Sequence, residues 1–377
     1  MTGEPGRRRD VARLAAAVYL AGQALTLLVV GLVARAHGRS LADLLSSWDG
    51  QHLLHIAAHG YDPSTQAGVL GSVAFFPGYP ALVSLVHAAT PLTYVGSGIA
   101  VSVLSGLALA VGLARLFRTV TPDSGDGDGG GELVLVALAA TAPMAVVLAM
   151  TYSEALFCAL AVWALVLMVE RQWLPAAGTV IAAGTVRQTA IALCVALAVA
   201  VIAAARRGEA PVRAWVAAAA APIGGLAYLA WADAHTGRRG SWFEAQRNGW
   251  GARFDGGRDT LRFAYHALID APSLLDVATV AALLAALGLL IALARLVGRR
   301  WPEVVAYAAV VLALDALSTG IMNSKIRLLV PALPLLIPVA HWLQTQPRSL
   351  RWTLVAAAAL GGAYYSAYAL VIYGFAI

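Results

Sequence analysis

The chain has 377 residues, of which 60% are hydrophobic and only 12% charged, with a formal net charge of +6. Together with a strongly positive mean hydropathy, this excludes a soluble core as the whole account and reads as a multispanning membrane protein. The positive charge comes mainly from arginines lying between apolar stretches, which makes it a topology signal rather than a nucleic-acid surface.

Backbone groups in lipid must pair within their own segment, and no alternating ten-residue barrel pattern occurs, so the expected fold is all-α. The chain opens on "RRRDVARLAAAVYLAGQALTLLVVGLVA", a basic flank followed by an apolar run long enough to span, which reads as a retained signal anchor. Apolar segments then run over 76–92, 94–116, 132–150, 154–170, 173–186, 188–205, 213–234, 273–297, 302–318, 326–343 and 352–375. Arginine-bearing connections include the N-terminus, Arg115 with Arg118, Arg171, "ARRGEAPVR", "RLVGRRW" and "QPRSLR". The positive-inside rule assigns all of them to the cytoplasm. The stretch after the first span, Glu154, Arg187, the 235–272 loop and Lys325 with Arg327 then fall on the outer face.

That assignment requires an odd number of crossings between Phe75 and Phe117, where two apolar segments lie. The segment "FFPGYPALVSLVHAATP" is short and opens on two prolines, so it is read as a half-length or tilted helix, leaving about eleven crossings. One transmembrane domain, 1–377, is expected, with a first outer loop at 34–75 carrying an interfacial helix, a flexible Gly/Asp linker at 119–131 and an outer loop at 235–272. The linker contains a GxGxxG match (Gly125, Gly127, Gly130) and a DxD match (Asp126, Asp128). Neither has a preceding strand or a nucleotide-binding domain around it. Cys158 and Cys194 lie inside apolar segments and imply no disulfide framework or metal cluster.

The stretch "SSWDGQHLLHIAAHGYD" concentrates polar groups in an otherwise apolar chain. At 100° per residue Asp49, His52, His55 and His59 share one arc, opposite Leu53, Leu54 and Ala57, as in an amphipathic helix on the membrane surface. The histidines are read as its wet face. A divalent metal on them is the alternative, although no other ligand cluster accompanies them. Asp49 follows the interfacial anchor Trp48 where the chain leaves lipid, a place for a carboxylate to take a proton from an incoming hydroxyl.

Here the chain resembles the PIG-V type mannosyltransferases, membrane glycosyltransferases of the GT-C class, in which a Trp-Asp pair opens the first outer loop and an "IAxxGY" phrase follows. The similar stretches run in the same order: "WDGQHLLHIAAHGYD", "FFPGYP", "TYSEALF", "GTVRQTAI", "FEAQRNGW" and "KIRLLVPALPLL". Thr151 and Tyr152 invert the usual Tyr-Thr order, and Gln188 stands where that family has proline after the arginine. The resemblance implies a GT-C-like fold and transfer of a sugar, mannose by family, from a polyprenyl-phosphate donor to an acceptor hydroxyl of a glycolipid or glycan. It places that transfer at the outer face of the cell membrane. Nucleic acid is not an expected partner; donor, acceptor and membrane lipid are.

An inverting attack needs one base on the acceptor oxygen and a cationic cradle for the departing phosphate. Asp49 is assigned the first role. Arg327, with Lys325 beside it and Arg187 in reserve, is assigned the second, because a guanidinium offers a bidentate fork; interfacial snorkelling is the plainer alternative. Trp48, His52, Glu154, Gln246 and Trp250 are candidate substrate-pocket residues. Glu154 and Arg187 sit where ionisable groups are costly unless paired or functional. Gln246 and Trp250 are of the types that hydrogen-bond to and stack on a sugar ring, as well as of the types that anchor interfaces. The competing readings are a lipid-linked sugar transporter, for which Asp315 is the main mid-segment charge, and a catalytically silent envelope scaffold.

Overall fold

The computed structural model describes residues 4–62, 71–121, 130–270 and 273–373. Among these residues the backbone is helical almost throughout, with no strand beyond a single antiparallel bridge between Phe254 and Ser318. The chain is all-α, as its composition requires. Of the Gly/Asp linker, residues 122–129, which hold Gly125, Gly127, Asp126 and Asp128, lie outside the described residues; Gly130 precedes the helix Gly131–Ala140.

Among the described residues, six helices are long and apolar enough to cross a membrane: Asp10–Ala36, Tyr94–Val120, Gln188–Arg206, Val212–Thr236, Leu274–Val297 and Arg348–Ile372. A seventh crossing is available if Met322–Leu328 and Val330–Gln344, bent by 58° at their junction, form one broken span. The sequence reading of about eleven crossings is therefore not matched by helix length, and the reason is local. The 132–150 segment is interrupted after Ala140, before Pro143 and a left-handed Met144 (φ 65°). The 326–343 segment is cut by Pro331 and Pro334, which withdraw backbone donors and leave a 3-10 stretch over Val330–Leu336. The helix Gly78–Ala89 has 12 residues, about 18 Å at 1.5 Å per residue, well short of a hydrocarbon core of about 30 Å. The 235–272 region is not simply a loop: it carries the helices Ser241–Trp250 and Arg258–Ile269.

The centre of the molecule is the helix Glu154–Val169, apolar on every side and buried on nearly every side. Such a helix has to be wrapped by others. Tyr94–Val120, Trp173–Gly184, Ile191–Arg206, Pro302–Ala316 and the broken Val330–Leu336 stretch all pack against it. Its first residue, Glu154, is consequently delivered to the middle of one end of the bundle. The surface helix Asp49–His59 lies at that end, burying Gly50, Leu53, Ile56 and Ala57 and leaving His52, His55 and His59 exposed.

Candidate active site

Four charged side chains from four separate elements meet at this end of the bundle. Asp49 is the first residue of its helix, the end at which the helix dipole favours a carboxylate. The turn into that helix is strained: Trp48 has φ 50° and ψ −121°, a region that L-residues avoid. Its indole packs against the main apolar core, which holds the backbone there. Asp49 Oδ2 receives Arg327 Nη1 at 2.8 Å. Arg327 Nε lies 3.7 Å from Glu154 Oε1, and Glu154 Oε2 receives Arg187 Nη1 at 2.8 Å. Arg187 also donates from Nη1 to Ser153 Oγ at 3.0 Å. The result is a chain of alternating charge, Asp49, Arg327, Glu154, Arg187. Its inner member is almost sealed from solvent, the Glu154 side chain being 2% exposed against 21% for Asp49.

Local sequence explains how each member is aimed. Arg187 lies in extended backbone (φ −154°) between the helix Trp173–Gly184 and a 3-10 turn that starts at Gln188, so the missing proline does not turn it away from Glu154. Arg327 stands on the one-turn helix Lys325–Leu328, just before the proline break that separates this turn from Val330–Leu336. Its guanidinium also lies 5.4 Å over the Tyr152 ring. Lys325 is aimed differently. Its ammonium donates to the carbonyls of Asp315 (2.6 Å) and Ser318 (2.9 Å) and lies 3.9 Å from Asp315 Oδ1, pinning the end of the helix Pro302–Ala316.

A cavity of about 160 Å³ opens on this cluster, and Asp49, Glu154, Arg187, Gln246, Trp250, Lys325 and Arg327 all line it. Seven of the nine residues singled out from sequence thus meet in one place. Trp48 and His52 do not line it. Trp48 faces the core, and His52 stacks on Phe75 (centroids 5.2 Å apart, planes at 20°) with its other face exposed. Burial against Phe75 is the larger influence on His52 and lowers its pKa from the ordinary value, against a smaller upward pull from Asp49. His55 faces Asp62 at 3.5 Å, and the rings of His55 and His59 lie 4.7 Å apart. No group of three or more potential metal ligands occurs among the described residues.

Gln246 donates from Nε2 to the carbonyl of Ala74 at 3.0 Å, a carbonyl shared with Trp242 Nε1 at 3.2 Å. Trp250 meets Phe75 edge-on at 5.5 Å. The "FFPGYP" phrase is therefore the cavity's lateral wall, strapped by the helix Ser241–Trp250. Its position against the site is set by Gly78, whose N–H donates to the carbonyl of Thr185 at 2.7 Å, two residues before Arg187. Sequence reasoning did not name Ser153, Gln188, Phe75 or Thr319 as lining residues. The first three stand inside or beside the quoted motifs, whereas Thr319 comes from an unremarkable loop held by pairing with Arg253 (Thr319 N to Arg253 O, 2.8 Å).

No family model and no curated protein matches the chain. The solved structure of ArnT from Cupriavidus metallidurans bound to undecaprenyl phosphate matches with a TM-score of 0.52 and 14% identity, covering 90% of this chain. The fold is GT-C-like. Sequence identity this low carries the architecture and no more, and the chain spans 62% of the length of that structure's chain.

Proposed function

We propose that this protein is a polyprenyl-phosphate-sugar-dependent glycosyltransferase that moves mannose to an acceptor hydroxyl of a glycolipid or glycan at the outer face of the cell membrane. The observation that carries the proposal is the meeting of Asp49, Arg327, Glu154 and Arg187 in one cavity at the end of a GT-C-like bundle. The solved ArnT structure was obtained with undecaprenyl phosphate, a lipid of the class proposed as donor. The choice of mannose rests on the resemblance of the motifs to the PIG-V type family.

The chemistry asked of these residues balances simply. The acceptor oxygen attacks the anomeric carbon, the bond from that carbon to the phosphate oxygen breaks with inversion, and the electron pair leaves on the lipid phosphate. The acceptor proton passes to Asp49. Arg327, and behind it Arg187, offsets the charge that builds on the leaving phosphate. In the protein alone Asp49 and Glu154 already balance the two arginines. A phosphate arriving at Arg327 competes with Asp49 for the same guanidinium, and that competition releases the Asp49 carboxylate to act as base. Glu154 stands between Arg327 and Arg187 with one oxygen toward each and offsets their mutual repulsion. Lys325 lines the same cavity with its ammonium spent on two carbonyls, and so braces the cavity wall.

The experiment is incubation of the purified protein with undecaprenyl-phosphate mannose and extracted membrane lipids, with products read by mass. A product heavier than an acceptor lipid by one hexose residue, with release of undecaprenyl phosphate, is expected. Recovery of donor intact, with binding but no transfer to any lipid, would remove the transferase reading.

A further inference from the structure

We infer that Asp315 is the sugar-hydroxyl subsite of this cavity, the group that distinguishes a glycosylated polyprenyl phosphate from the bare lipid phosphate. The inference rests on the proposed donor class and adds the residue that reads the sugar.

Asp315 lies at the C-terminal end of the helix Pro302–Ala316 and lines the same cavity as Asp49 and Arg327. It is 4% exposed, and neither of its carboxylate oxygens accepts a hydrogen bond from any described residue. A buried carboxylate normally collects several donors, because its two oxygens offer about four acceptor sites and leaving them unused is costly. The neighbouring Lys325 does not discharge this need. Its ammonium is 3.9 Å from Oδ1, beyond hydrogen-bond reach, and its protons go instead to the carbonyls of Asp315 and Ser318. Lys325 thus supplies through-space charge balance while leaving both oxygens of Asp315 without a hydrogen-bond donor.

A pyranose ring brings such donors as adjacent hydroxyls, and a single carboxylate can accept from two of them. The opposite character is found elsewhere on the same wall, where Arg187 Nε and Arg327 Nε are buried donors without a hydrogen-bonded partner. One cavity therefore offers unused acceptors in one place and unused donors in another, which is the complement of a sugar joined to a phosphate. The volume agrees: about 160 Å³ is close to that of cavities of about 150 Å³ that hold one six-membered ring. A purely structural ion pair accounts for the proximity of Lys325 but not for two unpartnered oxygens on a residue of the cavity wall.

The test is equilibrium binding to the purified full chain of undecaprenyl phosphate and of three undecaprenyl-phosphate hexoses, those of mannose, glucose and galactose. The wild type should bind at least one hexose form more tightly than the bare lipid phosphate. Asp315→Asn, nearly isosteric but without the anionic acceptor, should weaken that hexose form on the order of 10- to 100-fold and leave undecaprenyl phosphate unchanged. Asp315→Glu, which retains the charge next to Lys325, serves where the Asn variant melts early, and it should show the same selective loss in smaller measure. Equal weakening of both lipids, or an unaltered preference for the hexose form, would overturn the inference. A wild type that binds the bare lipid phosphate without preferring any hexose form overturns it also, while leaving the phosphate cradle standing. A wild type that binds none of the four would take the proposed donor class down with it.

Discussion

At the scale of single residues, the sharpest question is whether Asp49 acts through basicity or only through charge. Asp49→Asn keeps the size of the side chain and a hydrogen bond to Arg327 but cannot take a proton, so donor binding should persist while turnover falls by about 10² to 10⁴. Asp49→Glu should also act poorly, since one added methylene displaces the carboxylate from a position set by the strained Trp48 turn. Steady-state rates at saturating donor, beside a binding isotherm, separate the two outcomes. Near-normal turnover with Asn at position 49 would eliminate Asp49 as the base. Arg327 makes a complementary case. Arg327→Lys should weaken donor binding and turnover together, because a point charge cannot span Asp49, Glu154 and a phosphate at once, and Arg327→Gln should be worse because it also leaves Glu154 a buried carboxylate with one cation fewer. Donor affinity left intact in the Gln variant would return Arg327 to a structural role. His52 supplies a pH signature away from the chemistry. Its pKa is lowered by burial, so the unfolded state binds the proton more readily. Its contribution to stability is present above the ordinary value of about 6.5 and is lost as pH falls through the lowered value. Melting curves of wild type and His52→Gln should therefore coincide most closely above that pH, with the wild type losing ground to the variant below it. Much of this site could be read from sequence because ionisable residues in a greasy chain are few, and each has a cost that only pairing or function offsets. What could not be read was pairing. That Lys325 would spend its protons on backbone carbonyls, while Asp315 kept both oxygens open, depends on a helix end and a loop brought together by the fold.

At the scale of elements, two glycines in the quoted motifs show why the motifs are contiguous phrases rather than isolated residues. A Cβ at Gly50 would stand 2.6 Å from Thr151 Oγ1 and 3.3 Å from the Tyr152 ring, so the helix that begins with Asp49 rests directly on the segment that leads into Glu154. A Cβ at Gly78 would stand 2.7 Å from Thr185 Oγ1, 2.8 Å from a Val186 methyl and 2.9 Å from the Thr185 carbonyl. Gly50→Ala and Gly78→Ala should each cost about 1–3 kcal/mol by overpacking, and each should lower activity by more than the loss of folded protein accounts for, because a displacement of about 1 Å can cost a factor of 10². The two should differ on rescue. Thr151→Ala removes the atom that meets the Gly50 Cβ and should restore much of the Gly50→Ala loss, whereas Thr185→Ala cannot rescue Gly78→Ala, since the carbonyl obstacle stays. Failure of Thr151→Ala to restore Gly50→Ala, in melting temperature and rate, would mean that Gly50 serves the backbone and not the approach. Helices themselves were largely legible: the apolar runs 94–116, 154–170, 173–186 and 273–297 correspond to Tyr94–Val120, Glu154–Val169, Trp173–Gly184 and Leu274–Val297. Hydropathy was less informative where proline divides an apolar run, as at Pro331 and Pro334, and where a helix is too polar to register in it, as at Ser241–Trp250 and Arg258–Ile269.

At the scale of the whole molecule, the proposed orientation places the cavity and the connections bearing Arg115, Arg171 and Arg207 on opposite faces of the membrane, with the arginines of 235–272 on the cavity side. The central helix Glu154–Val169 displays this polarity within itself, with Glu154 in the cavity at one end and, just beyond the other, Glu170 held by Arg115 through two short hydrogen bonds of 2.6 and 2.7 Å. Arg171, Arg206 and Arg207 lie in the connections at or next to that second end. A single cysteine at Arg247, on the strap helix Ser241–Trp250, and another at Arg207, after the helix Ile191–Arg206, therefore bracket the bilayer. Neither position lies in the apolar core, so neither substitution should disturb folding by much more than about 0.5 kcal/mol. The background thiols should label poorly, Cys158 being fully enclosed and Cys194 lying within a spanning helix. In intact cells an impermeant maleimide should modify the cysteine at 247 and not the one at 207; after permeabilisation both should react. The reverse pattern would turn the molecule over, placing the cavity on the cytoplasmic face and requiring a donor presented from that side. Labelling of both before permeabilisation would break the shared assignment altogether, because 247 and 207 are separated by one helix-length segment, Val212–Thr236, and that segment would then not cross the membrane.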